Sequence, residues 1–331
     1  MTLLEIFPSL RSGRVSPRLD TTVWPCRTHY DELGRITVDG VALDDVADRY
    51  GTPTYVIGET EIHTRCRSYR AHFPDTEIVY AAKALLTRTI AGLVADEGLG
   101  IDVCSAGELA IALSAGVDPR RIILHGSGKP FAELEYAAGA GVGRIVIDSL
   151  TEVSLLGAAV DRPQHVLLRL TPDIDVHGHP AVRTGVGDQK FGLALHDETT
   201  EEAIRTIIDH PLLDLRGFHC HLGSQIYDPD HYGEAVRRLV ARMAEVRHDY
   251  GVLLTQLDLG GGHAVAYRAG DAELNLSELA DIVDDALDAA CARNRFPRPV
   301  IAMEPGRGIV ARAGVTADRH RHRGRTLLRG R

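Results

Sequence analysis

The chain has 331 residues, 44% of them hydrophobic, and 37 Lys+Arg against 46 Asp+Glu give it a formal charge of −9. That length carries one large domain or two ordinary ones around a sizeable core, and the acidic balance disfavours nonspecific binding to nucleic acid or an anionic membrane. No stretch approaches the ~18 apolar residues of a membrane span, and MTLLEIFPSLRSGR has no basic leader ahead of its apolar run.

Residues 1–30 carry no periodicity and are expected to be an irregular lead-in. RITVD at 35–39 reads as a short strand, and Leu43–Tyr50 as a helix ended by Gly51 and Pro53. Thr54–Ile57 is a further short strand. Apolar, β-branched runs then recur at Ile78–Ala81, Gly100–Cys104, Arg121–His125, Arg144–Asp148, His165–Leu170, Leu215–His221, Gln256–Leu259 and Val300–Met303. Stretches of helical period such as Glu108–Ser114 and Ser277–Ala292 separate them. Eight such strands alternating with helices predict an α/β fold with a parallel sheet buried on both faces, and eight is the number that closes a (β/α)8 barrel. An open doubly wound sheet is the rival, but no G-x-G-x-x-G follows the first strand. The expected division is a lead-in and β segment over 1–53, a barrel over 54–308 and a remainder over 309–331. The polar loop Pro172–Gly192 is too long for a simple turn and is expected to cover a site.

Five scattered cysteines (Cys26, Cys66, Cys104, Cys220 and Cys291) lack C-x-x-C spacing, which fits a reducing cytoplasm rather than a disulfide scaffold or structural zinc site. Only three lysines stand among the 37 basic residues: Lys83, Lys129 and Lys190. Arginine cannot replace lysine where the amine must lose its proton and attack a carbonyl. Lys83 follows a strand among Ala81, Ala82 and Ala84, which leaves room for a flat cofactor, and burial is expected to depress its pKa. The other strand ends carry Asp102, His125-Gly126-Ser127, Asp148, Arg169, His219-Cys220-His221 with Ser224, Gly260-Gly261-Gly262, and Glu304-Pro305-Gly306-Arg307. The glycine triplet exposes backbone N–H groups for a phosphate or simply makes a tight turn. Arg307 could pair with a phosphate or carboxylate, and Glu304 is costly to bury unless it faces a cation. His219 and His221 form an H-x-H pair, with a second at His177 and His179, so a metal-dependent hydrolase stays open as an alternative. Cys220 reads as a small buried hydrophobe.

The motifs YAAKA, DVCSAGEL, HCHLGSQI, LDLGGG and EPGR, in this order, resemble those of the fold-type III pyridoxal-phosphate decarboxylases, from about Gly34 to Val315. HLGSQ and DQKFG are more similar to the diaminopimelate branch than to the ornithine branch. The resemblance implies pyridoxal phosphate held covalently by Lys83, with His221 stacked on its ring. It further implies phosphate contacts from Ser224, Gly260, Gly261 and Gly262, and Glu304 at the pyridine nitrogen. Arg307 would lie between phosphate and substrate, with Asp102 and Arg169 behind. The reaction implied is decarboxylation of a diamino acid, meso-2,6-diaminopimelate to L-lysine, by a cytoplasmic homodimer. Family members continue past EPGR into a β-sandwich that carries a cysteine proton donor. Here Thr316–Arg331 holds six arginines and two histidines without strand pattern, so 309–331 is expected to be the truncated start of that domain followed by an aberrant, frameshifted or prematurely ended arginine-rich tail. The expectation is therefore an impaired enzyme, with a catalytically inactive cofactor-binding barrel or a decarboxylase of another amino acid as alternatives.

Overall fold

The computed structural model describes residues 19–176 and 191–318. His177, His179, Lys190 and the arginine-rich tail from 319 onward lie outside the described residues, as do most of the 172–192 loop and much of the lead-in. The chain divides into two compact units, the larger comprising Ile62–Val265 and Ala272–Ala311.

The larger unit is a closed parallel barrel. Its strands are β1 (Glu77–Ala81), β2 (Gly100–Val103), β3 (Ile122–Leu124), β4 (Arg144–Ile147), β5 (Gln164–Thr171), β6 (Leu213–His219), β7 (Gln256–Asp258) and β8 (Val300–Met303). Each pairs with the next in parallel, and β8 closes on β1 through Ala302↔Glu77 and Met303↔Ile78. Their apolar runs are continuous because both faces are covered: Ile122, Ile123 and Leu124 are all fully buried. Val79, Ile123, Val146 and Leu167 from four of the strands form one buried cluster.

Two helices that follow strands start on the same device. Ser105 caps Ala106–Ser114 by accepting from the Glu108 N–H, and Ser149 caps Leu150–Ala159 by accepting from the Glu152 N–H. Both glutamates reach back one residue beyond the cap, to the N–H of Cys104 (2.7 Å) and of Asp148 (3.0 Å). This variant of the capping box locks the C-terminal ends of β2 and β4. In β6 the pairing with β5 slips between Leu215 and Gly217, so His219 comes opposite Arg169. That bulge turns His219 to the face it would otherwise miss. At the opposite end of the barrel, Arg144 of β4 makes a two-pronged ion pair with Glu77 of β1, and its Nη1 also lies 3.3 Å from the Gln256 side-chain oxygen on β7.

The smaller unit holds a three-stranded antiparallel sheet, Thr28–Tyr30, Ile36–Val38 and Val41–Ala42, followed by the helix Leu43–Tyr50. Thr54–Ile57 pairs antiparallel with Gly314–Ala317, and Val38, Leu43 and Val315 share a core with Trp24, Ile36 and Val56. Arg312 also reaches Glu61 at 2.7 Å. The expected barrel limits of 54 and 308 therefore move: the partner of strand 54–57 is 314–317, and both belong to the smaller unit. No helix among the described residues is long and apolar enough to cross a membrane.

Candidate active site

The C-terminal ends of β1, β2, β3, β6, β7 and β8 converge on one polar cage. Lys83 sits in the single 3-10 turn Ala82–Ala84 that ends β1. Its Nζ donates to Asp102 Oδ2 at 2.7 Å; the lysine side chain is 48% exposed while Asp102 is fully buried. Burial pulls the amine pKa down, but Asp102 and then Glu304 outweigh it and hold Lys83 above the ordinary lysine value. The expectation of a depressed amine is thus corrected. The sequence around Lys83 shows only alanines, and the carboxylates come from other strands. Burial, with Asp102 beside it, also pushes the Cys104 thiol up to about 12.

Glu304 follows β8 and is 2% exposed. Its Oε1 lies 2.6 Å from His125 Nε2, and its Oε2 lies 3.5 Å from His219 Nε2. The two imidazoles meet edge to face, their centroids 4.4 Å apart. His125 Nε2, both ring nitrogens of His219 and Glu304 Oε1 are buried without an aligned hydrogen-bond partner. Burial raises the Glu304 pKa, yet His125 and then His219 overcome this and hold the carboxyl well below its usual range. Burial, followed by the neighbouring His125, drops His219 to about 3. Asp258 goes the other way, pushed well up by burial and by the Glu304 charge. One carboxyl of the cage is thus pushed toward its ionised form and its neighbour toward its protonated form.

The glycine turn is shaped by close approach. Gly260 and Gly262 have φ of 66° and 96°, and a Cβ on Gly262 would stand 2.2 Å from the Gly223 carbonyl oxygen. The Gly260 N–H donates to Asp258 Oδ1 at 2.9 Å, and the Gly261 N–H makes a long 3.3 Å bond to His221 Nδ1. Two of the three glycine amides are thus engaged inside the protein, as in the tight-turn reading of the triplet. As an acceptor at Nδ1, His221 carries its proton on Nε2, and burial with the nearby Lys83 lowers its pKa well below the usual value. Ser224 lies half-buried in the loop after His221. Arg307 is half-buried and opens the helix Arg307–Val310. Arg169 lies 3.4 Å from Asp148 and stacks over the Phe191 ring at 4.9 Å.

Lys129 has a different task. Its buried Nζ donates to the Gly126 and Val146 carbonyls and to Glu152 Oε2, which makes it a structural lysine. Cys220 is fully buried, as expected of a small hydrophobe. The H-x-H pair splits: His219 faces Glu304, whereas His221 turns to Gly261. Sequence reasoning passed over His125 and Asp258 as site members. Only their strand-end positions signalled them.

Residues 59–311 match the family model for the pyridoxal-dependent decarboxylase, pyridoxal binding domain. A diaminopimelate decarboxylase of Actinosynnema pretiosum subsp. auranticum is 46% identical over 320 residues, covering 96% of this chain and 72% of that protein. One of Mycobacterium tuberculosis is 38% identical over 306 residues, 90% of this chain and 68% of the relative. The crystal structure of diaminopimelate decarboxylase from M. jannaschii in complex with L-lysine superposes with a TM-score of 0.80 at 28% identity, over 87% of this chain and 68% of that one. The chain belongs to the pyridoxal-dependent decarboxylases, in the branch of the diaminopimelate decarboxylases.

Proposed function

We propose that this cage holds pyridoxal phosphate on Lys83 and decarboxylates meso-2,6-diaminopimelate to L-lysine and CO2. The observation that carries the reading is the pairing of an accessible lysine amine with an ionised, buried carboxylate whose Oε1 has no aligned donor. An aldehyde-bearing ring with a protonated nitrogen satisfies both groups, so the residues present fit the cofactor. When bound, pyridoxal phosphate supplies an electron sink for the pair left on Cα as CO2 departs.

The side chains have distinct tasks around that chemistry. Lys83 must shed a proton before its nitrogen can attack a carbonyl, and until then its ion pair with Asp102 Oδ2, 2.7 Å away, holds the amine in place at the cage. Glu304, kept ionised by His125 and His219, holds the opposing charge at the ring nitrogen. That charge would keep the ring nitrogen protonated, the form in which the cofactor supplies its electron sink. Neutral His221 offers its ring face for stacking, while Ser224 and Gly262 take the phosphate, Gly261 joins them by giving up its long bond to His221, and Gly260 sets their turn. Arg307 pairs with the phosphate and the substrate carboxylate as a fork-shaped donor. The substrate is a small amino acid, the compartment the cytoplasm and the assembly a homodimer, which sedimentation of the purified chain checks.

Mixing the purified chain with pyridoxal phosphate should raise a visible absorption band that borohydride removes, leaving the label on Lys83. CO2 and lysine should form from diaminopimelate. Label on Lys129 with Lys83 unmodified would refute the assignment. A band without CO2 would leave a cofactor-binding barrel that does not turn over.

A further inference from the structure

We propose that His125, His219 and Glu304 form a site for a transition-metal dication of the Zn2+ class in the cofactor-free chain. The three side chains come from the ends of β3, β6 and β8, and all are buried. One ligand atom from each lies within 4.8 Å of the others. Both His Nε2 atoms and Glu304 Oε1 lack an aligned hydrogen-bond partner. A single cation at the ~2.0–2.2 Å usual for nitrogen and carboxylate ligands of zinc would give all three a partner once His125 Nε2 and Glu304 Oε1, 2.6 Å apart without it, open to the ~3.4 Å spacing of tetrahedral ligands.

The donor chemistry agrees. Two imidazoles and one carboxylate suit borderline cations such as Zn2+ and Co2+, and are a poor set for Mg2+ or Ca2+, which take oxygens. Three protein ligands also leave a fourth position open. Asp102 Oδ1, 3.9 Å from His125 Nε2, adds a second carboxylate beside the trio, against the one ammonium of Lys83 that it binds. The metal reading drawn from H-x-H spacing is thereby revised, since only His219 of that pair belongs to the trio.

Because Glu304 is also the residue assigned to the cofactor ring, cation and cofactor exclude one another. That consequence rests on the proposed function; the metal site itself does not. The test uses the full chain stripped of cofactor, titrated with ZnCl2 and desalted before elemental analysis, with CoCl2 as a visible reporter. One equivalent of metal per chain is expected. His125→Ala and His219→Ala should each weaken Zn2+ binding at least as much as the ~10–100-fold cost of removing an outer-shell partner. Circular dichroism checks the fold of each variant, and His125→Gln, which keeps a polar group, replaces any that fails. Substoichiometric metal in the parent chain, or equal binding in the folded variants, would overturn the site. Pyridoxal phosphate should release the metal as its visible band grows. Metal that stays bound while that band develops would overturn the competition. A chain that binds Zn2+ but never develops the band would refute the cofactor reading and leave the metal site standing.

Discussion

Lys83 and Lys129 carry the same side chain in opposite circumstances. Lys129 is walled in by two carbonyls and Glu152, so its nitrogen is unreachable. Lys83 donates to Asp102 at an opening, where a carbonyl compound can reach it. Glu304 is the third charge that matters. Glu304→Gln keeps the shape but removes the negative charge, so kcat should fall by ~100-fold or more with little change in KM, the pattern of a transition-state interaction. Steady-state rates on diaminopimelate measure this, and an unchanged kcat would remove Glu304 from its role. His263 supplies a pH test. Burial, followed by Arg65, lowers it from 6.5 to about 4, and its Nδ1 lies 2.9 Å from the Tyr69 hydroxyl. Its folded pKa lies below its unfolded one, so its contribution is complete above pH 6.5 and is lost as pH falls toward 4. The loss runs at about 1.4 kcal/mol per pH unit. His263→Gln should remove that slope from the acid limb of urea-denaturation stability, and a limb of unchanged steepness would contradict it.

The turn Gly260–Gly262 ties β6, β7 and β8 together through backbone contacts. Gly262→Ala adds a Cβ at 2.2 Å from a backbone oxygen, at a φ of 96°. Strain at such positions costs about 1–3 kcal/mol before the clash is counted, so both melting temperature and cofactor affinity should drop. Fluorescence melts and cofactor titration read the two separately. The eight barrel strands were readable in the sequence because burial on both faces leaves no polar alternation to confuse them. The helix Leu43–Tyr50 was legible at both ends because Gly51 and Pro53 stop it. Pairings between distant segments did not. Nothing near Thr54–Ile57 says that its partner lies at 314–317, and nothing near His125 says that Glu304 will face it. For the same reason Lys83 looked like a lone amine among alanines. Local composition carries burial and turn chemistry, whereas charge neighbours are set by how the strands close.

The barrel is tied at its far end as well as at the site. Arg144 is almost wholly buried, and Glu77 is the carboxylate that pairs with it across the barrel. Removing one partner of a buried pair strands the other, at a cost of about 3–5 kcal/mol. Glu77→Ala should therefore lower Tm by roughly 6–20 °C for a unit of this size. Its distance from the cage should leave the KM of any residual native enzyme unchanged. A Tm within a degree of the parent would show that Arg144 finds other partners.

Closure of β8 onto β1 sets a timetable during synthesis. Lys83 and Asp102 leave the ribosome early, on the first two barrel strands, whereas Glu304 and Arg307 come with the last. At ~5–20 residues per second, the nascent chain passes ten seconds or more holding an amine without its distant carboxylate. During that interval β1 presents an open hydrogen-bonding edge, the kind of surface that recruits stray strands. The cage is completed only when the barrel is, so Lys83 and Asp102 do not meet Glu304 until the last barrel strand has been made.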